Sequence, residues 1–90
     1  MSSPDPFYKY IKYPLITEKS VLMVEREGKV TLIVDKNATK PLLKEIISRH
    51  FGVKVKKVNI LNTPKGEKKA IITLYTIDDA LKVATALGVL

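Results

Sequence analysis

Cysteine and tryptophan are absent from this 90-residue sequence, and histidine occurs once, at His50. Without cysteine there is no disulfide framework and no thiolate metal site, and one imidazole cannot build a zinc site. His50 has no serine, cysteine or acidic partner at a spacing that suggests catalysis. We therefore interpret His50 as a partly buried residue at a helix end, and we predict neither a cofactor nor a bound metal.

Long apolar runs and acidic residues are also scarce. No apolar run approaches the roughly 20 residues of a membrane span, and the N-terminus lacks the pattern of a signal peptide, so we expect a cytoplasmic protein without a membrane partner. The chain has 16 lysines and arginines against 9 acidic residues, a formal net charge of +7. This imbalance favours an anionic partner, and nucleic acid is the first candidate.

What the sequence does contain is enough apolar content for one modest core. Hydrophobic residues make up 46% of the chain, and a length of 90 residues predicts a single domain over residues 1–90. The first residues are rich in serine, proline and aspartate, so we expect residues 1–8 to be flexible.

The most basic stretch is a predicted β-hairpin. Two runs rich in β-branched residues, 55–62 and 68–75, flank the turn Pro64-Lys65-Gly66. The stretch from Lys54 to Lys69 holds one acid, Glu67, and six lysines, namely Lys54, Lys56, Lys57, Lys65, Lys68 and Lys69. The apolar residues of the first run change from odd-numbered to even-numbered positions, and this shift by one residue predicts a bulge at Lys56-Lys57.

Capping signals predict three helices around a further strand. Thr17 begins a helix that ends near Gly28, and Thr39 begins one that ends at Gly52. The strand between them covers 29–35, and Thr76 begins the last helix, which ends at Gly88. The apolar stripe predicted for the second helix comprises Leu42, Leu43, Ile46, Ile47 and His50.

Two local patterns have alternative interpretations. The segment Phe7–Tyr13 interleaves aromatic residues with lysines, so it is either a short edge strand ended by Pro14 or a set of rings that stack on bases. Asp78 and Asp79 are paired acids, but adjacent positions on a helix do not face each other. The helix dipole accounts for both carboxylates, and we reject a carboxylate active site.

This order of elements predicts an α+β fold with a small antiparallel sheet. A split β-α-β unit followed by a β-hairpin is the ferredoxin-like arrangement. We expect strand 68–75 to lie beside strand 29–35, with strand 55–62 at the edge.

Three motifs together resemble a known family. They are Tyr13-Pro-Leu-Ile-Thr-Glu-Lys-Ser20, Phe51-Gly-Val-Lys-Val-Lys-Lys-Val-Asn-Ile60 and Pro64-Lys-Gly-Glu-Lys-Lys-Ala70. The chain closely resembles the large-ribosomal-subunit protein 23 family in its archaeal type, over roughly residues 10–88. The loop at Asn62–Glu67 is shorter than the tunnel-reaching loop of the bacterial members.

The resemblance implies a non-enzymatic ribosomal protein that binds large-subunit rRNA beside the polypeptide exit tunnel. Its implied partners are rRNA, neighbouring ribosomal proteins, the signal recognition particle and other exit-tunnel factors, with no small-molecule substrate. The second helix and the acidic end of the last helix are candidates for factor docking. From the resemblance and the basic pattern we expect rRNA contacts at Lys9, Lys12, Thr17, Lys19, Ser20, Lys36, Asn37, Lys40, Lys56, Lys65, Lys68 and Lys69.

Two other functions fit the sequence less well. An acylphosphatase-like phosphate hydrolase on the same fold needs an arginine and an asparagine at a glycine-rich loop, and neither Arg26 nor Arg49 follows such a loop. A free single-stranded RNA module needs aromatic residues in the middle of its strands, whereas Tyr75 stands at a strand end.

Overall fold

The computed structural model describes residues 6–89, in which helices and strands alternate before a closing hairpin and helix. The helices are α1 Pro6–Tyr10, α2 Glu18–Glu27, α3 Lys40–Phe51 and α4 Ile77–Ala86. The strands are β1 Ile11–Pro14, β2 Lys29–Val34, β3 Val55–Asn62 and β4 Lys68–Leu74. Among these residues, no helix has the length and apolar character needed to cross a membrane.

The four strands form one antiparallel sheet in the order β1-β2-β4-β3. The predicted α+β fold and the predicted placement of β4 beside β2, with β3 at the edge, are confirmed. The pairing also contains the predicted bulge, because Val55 lies opposite Leu74 while Lys57 lies opposite Thr73. The extra residue, Lys56, is thereby placed on the outer strand.

The hydrophobic core lies between one face of the sheet and the helices. Leu32, Ala70 and Ile72 share that face through the β2–β4 register and are fully buried. Helices α2, α3 and α4 cover it with Val24, Leu43, Ile47, Ala80, Val83 and Ala84. Burying one such large aliphatic side chain contributes about 1.5–3 kcal/mol, so short helices that are weak alone are held by packing.

The opposite face of the sheet carries side chains that do not join this core. Thr31 and Ile33 are buried there, Lys69 and Ile71 are half-buried, and Leu61 is exposed. The chain between β1 and α2 runs beside Thr31, whose carbonyl accepts a hydrogen bond of 3.0 Å from the Leu15 N–H. This face is therefore available to a partner mainly along β3 and β4.

The predicted helix caps are present. The Thr17, Thr39 and Thr76 hydroxyls each accept a backbone N–H in the first turn of their helices. Gly28 and Gly52 follow α2 and α3 with φ of 66°, the left-handed conformation that glycine adopts without strain. After Gly52, the Val53 N–H donates to the Ser48 carbonyl over 3.2 Å, which closes the helix end as expected.

The N-terminal region differs from the prediction. Only residues 11–14 form the edge strand, and residues 6–10 form a helix instead. Phe7 is 5% exposed, and its ring stacks on His50 with centroids 4.0 Å apart. Residues 6–8 of the segment expected to be flexible thus lie in α1, whereas residues 1–5 lie outside the described residues.

His50 is more exposed than predicted. The residue lies on the solvent side of α3, although Phe7 covers one face of its imidazole ring. The spacing of the apolar stripe identified its side of the helix only approximately, because position 50 is at the edge of that stripe.

Candidate nucleic-acid interface

A basic groove runs between α3 and the outer strand β3. It has a volume of about 370 Å³, and its lining, which we call the α3–β3 groove, comprises Lys40, Pro41, Lys44, Lys56, Lys57 and Val58. Lys40 and Lys44 are one helical turn apart and so project from the same side of α3. The bulge places exposed Lys56 and Lys57 consecutively on the facing strand. A helix and a strand edge thus bring four lysine residues to the lining of one depression.

The positive charge of this groove is not balanced by acidic side chains of the described residues that line it. Within residues 6–89, no acidic side chain lines the groove and none of its lysines takes part in an ion pair. Lys40 also lies in the first turn of α3, where the helix dipole disfavours a cation. Like charges held this way repel one another, and a phosphate backbone would neutralise both the ammonium groups and the positive helix end.

A smaller cleft adjoins the groove at Lys44. Its volume is about 230 Å³, and its lining comprises Lys44, Ser48, Lys54, Val55 and Tyr75. Lys54 precedes β3 and is exposed, and Tyr75 follows β4 and is also exposed. The cleft continues the basic surface from the start of α3 toward its C-terminal half.

A second basic surface lies on the open face of the sheet. Four predicted residues, Thr17, Lys19, Ser20 and Lys69, line a depression of about 190 Å³ together with Leu15, Met23, Thr31, Leu61 and Ile71. We call this the open-face pocket. It is less basic than the α3–β3 groove, and apolar side chains form much of its wall.

Ser20 is buried at the wall of this pocket, where its side chain has a structural role. Its side chain is buried, accepts the Thr17 N–H over 2.8 Å and donates toward the carbonyls of Leu15 (2.7 Å) and Thr17 (2.9 Å). The hydroxyl of Ser20 closes the capping box of α2, and the predicted rRNA contact at Ser20 stays a prediction.

Lys68 is likewise committed to the protein. Its ammonium donates to the carbonyls of Lys36 (3.2 Å) and Ala38 (2.5 Å), in the loop that leads into α3. The loop is further fixed by the Asn37 N–H, which donates to the Asp35 carboxylate over 2.8 Å. Lys36 and Asn37 themselves are exposed. Lys68 thus holds the loop that carries two predicted contact residues.

The remaining predicted residues lie apart from both surfaces. Lys9 is on α1, with its ammonium 5.4 Å from the centre of the Tyr10 ring, and Lys12 is on the edge strand β1. Lys65 is exposed at the tip of the β3–β4 hairpin. Near that tip the Tyr13 hydroxyl donates to the Glu67 carboxylate, which ties β1 to the hairpin. This hydrogen bond raises the pKa of Tyr13.

Four residues of the groove and cleft are absent from the rRNA contacts predicted above, namely Lys44, Lys54, Lys57 and Tyr75, although Lys54 and Lys57 belong to the basic stretch of the hairpin. The spacing of Lys40 and Lys44, four residues apart on a predicted helix, was a signal for the first. The others depend on α3 lying beside the outer strand, which periodicity alone does not fix.

The geometry offers little to hydrolytic chemistry. Arg49 pairs with Glu45 over 3.0 Å on the surface of α3, and Arg26 lies exposed near the end of α2. Within residues 6–89, no three histidine, aspartate or glutamate side chains are grouped so as to hold a metal ion.

Comparison with known proteins gives a consistent result. A model of the family described as ribosomal protein L23 matches residues 9–85. The chain is 48% identical over 80 residues to the large ribosomal subunit protein uL23 of Pyrobaculum aerophilum, covering 89% of this chain and 99% of that protein. It is 44% identical over 82 residues to the uL23 protein of Methanococcus aeolicus, covering 91% of this chain and 95% of that protein.

Proposed function

The chain belongs to the ribosomal protein L23 family, and from that premise we propose that it binds large-subunit rRNA through the α3–β3 groove. As a member of this family it is a structural constituent of the large ribosomal subunit, located in the cytoplasmic ribosome, and not an enzyme. Its expected associates are rRNA and neighbouring ribosomal proteins. We propose that residues 1–90 act as one rRNA-binding domain.

The observation that carries the rRNA-binding proposal is the set of four lysines in the groove, which form no ion pair with any described residue. Lys40, Lys44, Lys56 and Lys57 line one depression, and none of the described residues adds an acidic side chain to that lining. Lysine ammonium groups are compact point charges that neutralise phosphate. Such contacts position a protein on RNA without reading its sequence, so specificity would come from the shape of the folded RNA.

The open-face pocket provides a second, weaker contact in this proposal. Lys19 and Lys69 would hold phosphate there, and Leu61 and Ile71 would pack against a sugar or against a neighbouring protein. Two separated surfaces suit a protein surrounded by folded RNA rather than one bound to a single strand end.

We further propose that the chain lies near the polypeptide exit tunnel and helps to form the docking site for the signal recognition particle and other exit-tunnel factors. The side of α3 that faces α1 supports a docking surface, because Pro6, Leu42 and Ile46 line a depression of about 310 Å³ there together with Glu45, Arg49 and His50. Asp78 and Asp79 at the start of α4 are a second candidate for factor contact. Site-specific crosslinking from Arg49 in assembled subunits tests this location. Products with exit-tunnel factors support it, and products with rRNA alone contradict it.

The salt dependence of rRNA binding tests the main proposal. If about six lysines engage phosphate, the logarithm of affinity for a large-subunit rRNA fragment should fall with the logarithm of salt at a slope of roughly −4 to −5. The double variant K40Q/K56Q should reduce the magnitude of that slope by about 1.4–1.8, because two phosphate contacts are lost.

The matched control is R26Q/K82Q, which removes two exposed positive charges that line neither surface. This control should leave the slope nearly unchanged. A wild-type slope near −1, or equal losses in the two double variants, would contradict binding through the α3–β3 groove.

A further inference from the structure

We propose that Tyr75 is a stacking platform for one unpaired nucleotide of the bound RNA, with the adjacent phosphates held by Lys44 and Lys54. This inference rests on the proposed rRNA binding and adds to it a site for a base. The groove otherwise offers only ammonium groups and aliphatic surface, so a base site changes what kind of RNA the protein fits.

The exposure of the Tyr75 side chain is the first observation. Tyr75 is 61% exposed, although the residue before it, Leu74, is 3% exposed and belongs to the core. Within residues 6–89, the Tyr75 ring makes no aromatic contact and its hydroxyl makes no hydrogen bond. A large ring left in water is an unused contact surface.

The other three tyrosines each have a partner within the protein. Tyr13 donates to Glu67, Tyr8 meets the Phe7 ring edge-on, and Tyr10 packs against the core. Their positions are therefore explained by the fold, and that of Tyr75 is not.

The backbone around Tyr75 is fixed at both ends. On one side, the Leu74 N–H donates to the Gly28 carbonyl over 3.0 Å, and Leu74 pairs with Val55 of β3. On the other side, Thr76 caps α4 by accepting the Asp79 N–H over 3.1 Å. The backbone that carries the ring is therefore already ordered, and only the side-chain torsions of Tyr75 lose freedom when a base stacks on the ring.

The surroundings of the ring select the ligand. Tyr75 shares its cleft with Lys44, Lys54 and Ser48, and no acidic side chain of the part of the chain that the structure describes lines that cleft. Lys44 also lines the α3–β3 groove, so an RNA backbone that follows the groove leads directly to the ring. An aromatic ring beside cationic groups is a common arrangement for binding unpaired nucleotides. Stacking on such a ring tolerates any base.

Tryptophan fluorescence provides a direct test, because the natural chain has no tryptophan. In the full-length variant Y75W, the indole should retain RNA affinity and should be quenched when a large-subunit rRNA fragment is added. In the variant Y75L, affinity for the same fragment should fall about 5- to 100-fold, the range expected for loss of one stacked base. The salt slope of Y75L should equal that of the wild type, because no charge has been removed.

Tyr8 supplies the matched control, since it is 73% exposed and lies on α1, away from the groove. Y8W should remain unquenched, and Y8L should bind within twofold of the wild type. An unquenched Y75W together with a Y75L affinity within twofold of the wild type would overturn the stacking site. If the wild-type slope stayed near −4 in that case, the rRNA-binding proposal would stand. Quenching of Y75W by purified ribosomal proteins and not by RNA would also overturn the stacking site at Tyr75.

Discussion

Lys68 shows that a lysine in a basic region can stabilise the fold. Its ammonium is held by the carbonyls of Lys36 and Ala38, so it fixes the loop before α3. Hydrogen bonds made by a charged group contribute about 1.5–3 kcal/mol, and part of this is lost to solvent at a half-buried site. K68M should therefore lower the free energy of unfolding by about 1–2 kcal/mol, as measured by urea denaturation.

The control for Lys68 is Lys65, an exposed lysine of the same hairpin. K65M should change the free energy of unfolding by less than about 0.5 kcal/mol. If K68M weakens rRNA binding while the salt slope is unchanged, Lys68 acts by positioning. A decrease of about 0.7–0.9 in the magnitude of the salt slope would instead show that Lys68 contacts a phosphate.

Tyr13 gives a pH-dependent prediction at the same scale. The Glu67 carboxylate accepts its hydroxyl proton and raises its pKa, because ionised tyrosine would lose this bond and face a negative charge. The pKa is raised in the folded state, so the stabilisation is complete below the unfolded value of about 10 and is lost as pH rises through the folded value. In an NMR titration of the ring carbons, E67Q should lower the pKa of Tyr13.

E45Q provides the comparison, because Glu45 pairs with Arg49 on α3 and belongs to a different part of the surface. Its Tyr13 titration should match that of the wild type. A Tyr13 pKa that is the same in E67Q and in the wild type would refute the hydrogen bond between β1 and the hairpin.

At the scale of elements, the helix caps, the three-strand core of the sheet and the bulge in β3 could be predicted from the sequence. The caps have a local signal, because Thr17, Thr39 and Thr76 each precede a run of apolar residues at helical spacing. The bulge also has one, because the alternation of apolar and polar residues shifts by one position near Lys56. Helix α1 could not be predicted, because five residues are too few to be helical without tertiary contacts. Its stability comes from the Phe7 ring on His50 and Phe51.

Two adjacent aromatic residues of α1 make this dependence testable. Phe7 is buried and Tyr8 is exposed. F7A should lower the free energy of unfolding by about 3 kcal/mol, because a buried phenyl group is replaced by a cavity, whereas Y8A should lower it by less than about 1 kcal/mol. Equal effects in thermal or urea unfolding would mean that α1 is not docked on α3.

At the scale of the whole molecule, the binding surface is a product of topology. Lys40 and Lys56 are 16 positions apart and meet only because α3 packs against β3 at the sheet edge. Sequence patterns predicted the basic character of the hairpin and of the start of α3. They did not reveal the hydrogen bonds by which Ser20 and Lys68 hold the fold, because a polar or basic residue looks the same in the sequence whether it faces inward or outward. The orientation of a side chain is decided by packing, which the patterns do not contain.

The presence of two surfaces predicts additive losses. K40Q/K56Q in the α3–β3 groove and K19Q/K69Q in the open-face pocket should each reduce the magnitude of the salt slope by about 1.4–1.8. The combined variant should show the sum of the two reductions if one rRNA fragment occupies both surfaces. Filter-binding titrations at several salt concentrations measure this. A combined reduction no larger than that of K40Q/K56Q alone would show that the open-face pocket does not contact the RNA.

The outer edge of β3 has a consequence for handling the protein away from the ribosome. An unpaired strand edge can template intermolecular sheets, and here lysines keep neighbouring copies apart by repulsion. Polyanions or concentrated salt weaken that repulsion, but they leave the backbone N–H and C=O groups of the strand edge unpaired. We therefore expect purified chains to be most colloidally stable in dilute buffer, and to precipitate when substoichiometric RNA fragments titrate their charge to zero.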